Sequence, residues 1–234
     1  DIPGSALAEG ITWNWETFPE YLDALDACHF AIDVGTQVPH GPVRAYVLGE
    51  DRVDDDHASL DDIKVMAEIV KAGLAAGALR FSTSRTRLHR AKSGKVVQGT
   101  YAASDEVLGI GRMLSDVEHG VFQVSGDYVP EDDELSWMKQ LSRETGSPVL
   151  YSVVQSKRDP DQWRRLLRAS ETASLEGAIF RPQIAPRPAG LLLGFESSVH
   201  PFMVHDGYRS LAGLSVQART EALALDETRV AILG

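Results

Sequence analysis

The stretch Gly77-Ala78-Leu79-Arg80-Phe81-Ser82 follows a segment in which Ile63, Met66, Ile69, Val70 and Leu74 recur at helical spacing. Glycine suits the left-handed position just past a helix end, and the residues after it are short, apolar and β-prone, so the segment reads as helix, glycine, strand. The unit recurs at Gly120 (Val121-Phe122-Gln123-Val124-Ser125), at Gly146 (then Pro148 to Val154) and at Gly177 (Ala178-Ile179-Phe180). An earlier run, Ala31-Ile32-Asp33-Val34, supplies a first strand. Strands alternating with helices imply parallel pairing through right-handed crossovers. About five strands are expected, near residues 31–36, 78–83, 120–125, 148–154 and 178–183.

The intervening helices carry start signals. Ser59 caps the helix that follows it, and Ser104 caps one carrying Val107, Leu108 and Leu114. Pro130 and the acids after it open a helix carrying Leu135, Met138 and Leu141. Asp159, Pro160 and Gln162 resemble a capping box ahead of Trp163, Leu166 and Leu167. After Gln183, Pro186, Pro188, Gly190 and Gly194 interrupt the pattern and no sixth helix–strand unit is clear. Residues 1–185 are therefore read as repeated α/β units and 186–234 as an irregular tail.

The composition, 43% hydrophobic and 24% charged over 234 residues, is that of a globular chain. A net charge of −11 argues against nucleic acid as a partner, and no basic run carries interleaved aromatics. No stretch of about 18 consecutive apolar residues spans a membrane, and no secretory leader is visible. The single cysteine, Cys28, excludes an internal disulfide and suits a reducing, cytoplasmic setting; Leu25 and Phe30 beside it predict a buried thiol. Asp54, Asp55 and Asp56 read as a solvated loop.

In parallel α/β folds the working residues lie at the carboxyl ends of the strands. Those ends lead to Gln37 and His40, to Ser82, Thr83, Ser84 and Arg85, to Gln123, Ser125 and Asp127, to Gln155, and to Arg181 and Gln183. Such groups either finish strands and bond local backbone or converge on a polar pocket. Zinc needs three or four ligands from His, Cys, Asp and Glu, and the chain has no HxH, CxxC or HExxH spacing; His40 is the best single candidate, with His200 and His205 in a proline-containing segment. Ser125 and Asp127 resemble part of a triad without a placeable histidine.

Several segments together carry a family resemblance: Ile11-Thr12-Trp13-Asn14-Trp15-Glu16-Thr17-Phe18, Ile32-Asp33-Val34-Gly35, Val38-Pro39-His40-Gly41, Gly77 through Thr86, Arg181-Pro182-Gln183, Arg187-Pro188 and His200-Pro201-Phe202. Over nearly its whole length the chain resembles the N-acyl-D-amino-acid deacylases (D-aminoacylases) of the amidohydrolases. The resemblance implies a partial (β/α)8 (TIM) barrel and zinc-dependent hydrolysis of the amide of N-acyl-D-amino acids or related N-acyl compounds. It places the family's first metal motif, its metal-binding cysteine and its late aspartate outside residues 1–234. Where better-known members carry zinc-binding histidines, this chain has Ser125 and Val153 or Val154, and Arg80 replaces a glycine. No metal ligand is therefore assigned and no tightly held zinc is expected on this chain alone. The alternatives are a non-catalytic scaffold or interaction fragment, inactive on its own, and a different metal-free α/β enzyme. Open sheet edges predict a homo-oligomer. The substrate-binding candidates are Arg85, Ser84, His40, Gln123, Gln155, Arg181 and Gln183. Arg85 is expected to hold a substrate carboxylate or to form a structural ion pair, with Arg181 its rival for the carboxylate.

Overall fold

A computed structural model describes all residues except 1–3, 55–56, 92–93, 157–158, 189, 191–192, 195–199, 204 and 234. Two stretches of the sequence reading, Asp55 with Asp56 and part of the segment after Gly190, lie outside the described residues. The chain divides into two compact units, residues 1–186 and 187–234.

The first unit is built on a parallel sheet: β1 (Val38–Pro39), β2 (Phe81–Arg85), β3 (Phe122–Gly126), β4 (Val149–Ser152) and β5 (Phe180–Gln183). The strands lie in sequence order, β1-β2-β3-β4-β5. A doubly wound sheet reverses its order at a switch point, whereas a barrel adds each new strand beside the last; this sheet does the second. The helices are α1 (Gly4–Gly10), α2 (Phe18–Asp26), α3 (His40–Arg52), α4 (Leu60–Ala75), α5 (Ser104–Gly111), α6 (Glu131–Thr145) and α7 (Gln162–Leu175), with a 3-10 turn at Arg112–Asp116.

One sheet face is buried beneath the helices. Phe81, Phe122, Val149 and Phe180 lie in register across β2 to β5, and all four are buried. Phe81 meets Phe122 edge-on, and Phe122 meets Trp137 of α6 likewise, with ring centroids 5.2 and 5.7 Å apart. Met66, Val70 and Leu74 of α4, Val107 and Ile110 of α5, Met138 and Leu141 of α6 and Leu166 of α7 complete this core. Their spacing is the helical period that identified these segments in the sequence.

Ser59 caps α4 through a reciprocal capping box with Asp62, and Pro130 precedes the acidic first turn of α6. Gly77, Gly146 and Gly177 take positive φ after their helices; Gly120 does not, and its missing Cβ instead makes room for Leu114 and Val117. Four local expectations need correction. Residues 31–36 form no strand. Ile32 and Val34 stand exposed, pairing starts only where Leu79 N–H reaches Thr36 O, and Pro39, lacking an N–H, closes the two-residue β1. Ser104 lies inside α5, whose cap is Ala103, because Ala103 already has the extended backbone of the capping position. The cap of α7 is Asp161, because the carboxylate of Asp159 is drawn to Arg165, 2.6 Å away. Cys28 is exposed: it lies past the end of α2, which has no buried residue of its own and reaches the core through Phe18.

The second unit is irregular over its described residues ahead of Asp206 and then carries three short helices that were not expected, α8 (Asp206–Arg209), α9 (Val216–Leu223) and α10 (Asp226–Leu233); its described residues add no strand. Tyr208 is its buried centre, stacked edge-on against His200 and bonded through its hydroxyl to Arg219. His205 caps α8, its Nδ1 accepting the N–H of Gly207.

Candidate functional site

Strand alternation sorts the polar residues of the sheet. Phe81, Thr83, Val124 and Tyr151 point to the helix-covered face. Ser82, Gln123, Leu150 and Arg181 form one row across β2 to β5 on the opposite face, and Ser84 pairs with Ser125 and Ser152 with Gln183 one step nearer the carboxyl ends. These residues are half-buried or exposed, whereas the other face is sealed. Leu150 apart, the open face is therefore a wall of hydroxyl, amide and guanidinium groups, and it brings together four of the sequence candidates: Ser84, Gln123, Arg181 and Gln183. Gln123 Nε2 lies 3.4 Å from Ser125 Oγ. Arg181 is exposed, and its one hydrogen bond among the described residues runs from Nη1 to Phe180 O at 3.0 Å. Gln155 is exposed in the connection after β4 and does not join the row.

Arg85 points the other way. Its Nε and Nη2 grip both oxygens of Glu134 at 2.6–2.9 Å, and Nη1 donates to Ala102 O at 2.7 Å. Both side chains are largely buried, and Trp137 Nε1 donates to the same carboxylate at 3.1 Å. The guanidinium thus forms the structural ion pair that was the alternative to substrate binding, and it ties β2 to α6 and to the loop ahead of α5.

His40 lies in a sealed polar knot on the helix-covered side. Its Nδ1 is 2.9 Å from Thr83 Oγ1 and its Nε2 is 2.8 Å from Glu106 Oε1. Arg44 Nε donates to the same oxygen at 3.0 Å, and Arg44 also bonds Val53 O. Burial alone would push the Glu106 carboxyl up; the hydrogen bond and charge of His40, together with Arg44, outweigh it and hold the group below its ordinary range. Gly99, at φ +82°, packs against the His40 ring: a Cβ there would meet Nδ1 at 2.9 Å. His40 is therefore apart from the open face, with both ring nitrogens engaged.

The loop after β2 is anchored on Asp127, whose carboxylate accepts from Thr86 Oγ1 at 2.6 Å and from Arg87 N–H at 2.9 Å. Asp127 is thereby committed to the loop and does not complete a triad with Ser125. The serine that does meet a histidine is Ser84, whose Oγ lies 2.7 Å from His89 Nδ1; among the described residues no carboxylate orients that ring. Beside this loop Tyr128 takes φ +53°, is buried, and reaches Ser152 Oγ at 3.3 Å; burial raises its phenol above the ordinary range. Glu106, Glu134 and His89 escaped the sequence reading because their partners are 5 to 66 positions away and follow no spacing rule.

The profile of the amidohydrolase family matches residues 6–232. The chain belongs to the amidohydrolase family. This amidohydrolase is 27% identical over 189 residues, 78% of its length, to a D-aminoacylase of Alcaligenes xylosoxydans xylosoxydans, of which it covers 35%. In fold it is similar to the crystal structure of N-acyl-D-glutamate deacylase from Bordetella bronchiseptica, complexed with zinc and a phosphonate mimic of the tetrahedral intermediate. There the TM-score is 0.56 at 22% identity, covering 74% of this chain and 34% of that one. The chain thus spans about a third of the length of both relatives, and its five strands and outer helices correspond to part of a TIM barrel. Among the described residues no three of His, Cys, Asp and Glu converge as metal ligands, and both nitrogens of His40 are taken. The described side chains do not fit a zinc site. No helix among the described residues is long and apolar enough to cross a membrane.

Proposed function

We propose that this amidohydrolase chain forms one wall of a pocket for N-acyl-D-amino acids or related N-acyl compounds, within a protein that hydrolyses their amide bond. The observation that carries the reading is the open sheet face, where Ser82, Gln123 and Arg181 lie in one row, with Leu150 between the last two. A closed hydrophobic barrel core would fill this face with branched aliphatic side chains; here, Leu150 apart, the row offers groups suited to a carboxylate and an amide. Arg181 takes the α-carboxylate, because its planar fork is exposed and uncommitted to any acid among the described residues, whereas Arg85 is held by Glu134. Gln123, Gln183 and Ser84 supply amide and hydroxyl partners for the N-acyl group.

The relatives named above are deacylases, one of them crystallised with zinc. Zinc in the full-length protein would be held by ligands outside the described residues. The edges β1 and β5 are suited to further pairing, within a closed barrel or between copies as a homo-oligomer. The experiment is a screen of the full-length protein against paired N-acetyl-D- and N-acetyl-L-amino acids, following amine release. Turnover confined to the D series supports the reading, and turnover of neither series by metal-replete protein would replace it with the scaffold alternative. Gln123→Leu should lower kcat/KM by about tenfold, the effect of one lost polar contact in the transition state.

A further inference from the structure

Eleven consecutive residues, Arg85 to Lys95, contain Arg85, Arg87, Arg90, Lys92 and Lys95 and no acid, in a chain of net charge −11. The run leaves the carboxyl end of β2, beside Ser84 of the open face. Arg85 is committed to Glu134, and Lys95 pairs with Asp54 at 2.7 Å. Arg87 and Arg90 have no carboxylate partner among the described residues: only the backbone N–H of Arg87 meets Asp127, and Arg90 Nη1 donates to Gly94 O at 2.6 Å. The His89 ring is tethered to Ser84. The loop is anchored rather than loose, through Asp127 at its start, Val97 N–H donating to His89 O within it, and Gly99 against His40 near its end. A long connection of this kind in a compact domain is usually functional, and cations gathered at one place on an acidic chain attract anions.

We propose that Arg87 and Arg90, with His89, form a second anion subsite that takes a carboxylate at the free end of the substrate's acyl arm. The preferred substrates are then N-acyl amino acids whose acyl group is a dicarboxylic half-amide such as succinyl or glutaryl. This rests on the reading of Arg181 as the α-carboxylate site. Arg181 stands on β5, three strands from β2, which at about 4.8 Å per strand is about 14 Å between backbones across the sheet, a gap that the arginine side chains and the substrate span together. The amide lies between the α-carboxylate and the acyl arm, so the part extending from β5 toward β2 is the acyl arm. A carboxylate on the amino-acid side chain, as in glutamate, is fewer bonds from the α-carboxylate than one at the end of a succinyl or glutaryl arm and reaches less far toward β2.

The test compares kcat/KM of the full-length protein for N-succinyl-D-alanine and N-butyryl-D-alanine, and for N-acetyl-D-glutamate and N-acetyl-D-glutamine. The succinyl substrate should be favoured over the butyryl by about tenfold at low salt, less at high salt. The ratio should fall to about one in Arg87→Gln/Arg90→Gln and persist in Lys95→Gln. A wild-type ratio near one, a ratio that survives the double substitution, or a charge preference confined to the glutamate–glutamine pair overturns the acyl-arm subsite. If none of these compounds is hydrolysed, the deacylase reading fails. Calorimetric binding of the succinyl and butyryl compounds then decides the subsite by the same contrast.

Discussion

Arg85 and Glu134 meet in a bidentate ion pair, with Nη2 to Oε1 at 2.6 Å and side chains only 11% and 10% exposed. Removing one partner leaves the other charge largely buried and unpaired, which typically costs several kcal/mol. Arg85→Ala and Glu134→Ala are each expected to destabilise the protein by about 2–4 kcal/mol in urea unfolding. The double substitution should cost much less than the sum, because the stranded charge is then gone. Additive losses would show that the two groups act independently.

Gly99 couples backbone conformation to the His40 knot. Its φ of +82° is unfavourable for any L side chain, and a Cβ would press within 3.0 Å of two ring atoms of His40. Gly99→Ala should cost about 1–3 kcal/mol, combining strain with the clash. The imidazole resonances of His40 in NMR spectra should shift at the same time. Unchanged stability with unchanged resonances would mean the loop swings free of the histidine.

Glu106 sets a pH dependence. A carboxyl held low in the folded state binds fewer protons there than in the unfolded chain. Its contribution is then fully present above the ordinary glutamate value of about 4.3 and is lost as pH falls through the lower folded value. Glu106→Gln should therefore lower stability by about 2–3 kcal/mol at pH 7, where Arg44 loses its buried partner. The gap to the parent protein should narrow as pH drops below about 4. A gap constant from pH 7 to pH 3 would rule out ionised Glu106 as its source.

The long-range order of the sheet was legible because it rests on local signals. Capped helical periods such as that of α4, glycine stops such as Gly146, and the runs after them fix strand order once right-handed crossovers are granted. Residues 31–36 misled because β-prone composition there meets no neighbouring strand until Thr36. In the candidate site, alternation along β3 and β5 placed Gln123, Arg181 and Gln183 on one face. Arg85 and Thr83 occupy the odd-numbered positions of β2 and turn toward the helices, where Glu134 and His40 meet them. Which acid an arginine finds depends on tertiary packing between α6 and β2, and no spacing rule encodes that.

Cys28 gives a simple check on the amino-terminal segment. Its thiol is exposed and donates only a weak hydrogen bond to Ala24 O at 3.4 Å. A thiol reagent should modify it in the native protein at a rate close to that in denaturant. Protection by more than about a hundredfold would show that the site opens only by unfolding, as for a buried cysteine.

The two arginines make the sharpest functional contrast. Arg181 is exposed on the open face, while Arg85 is held against Glu134. Lysine keeps the charge but loses the planar fork, so Arg181→Lys tests bidentate recognition rather than charge alone. If Arg181 holds the α-carboxylate, this change should lower kcat/KM for an N-acyl-D-amino acid by about 2 kcal/mol, or about thirtyfold, with stability unaltered. The loss should vanish for an acylated amine that has no carboxylate, because that substrate never used the fork. Arg85→Lys should do the opposite, lowering stability and moving activity equally on both substrates. If Arg85→Lys instead showed the carboxylate-dependent loss, its pair with Glu134 would have to open during binding, and the α-carboxylate would belong to β2.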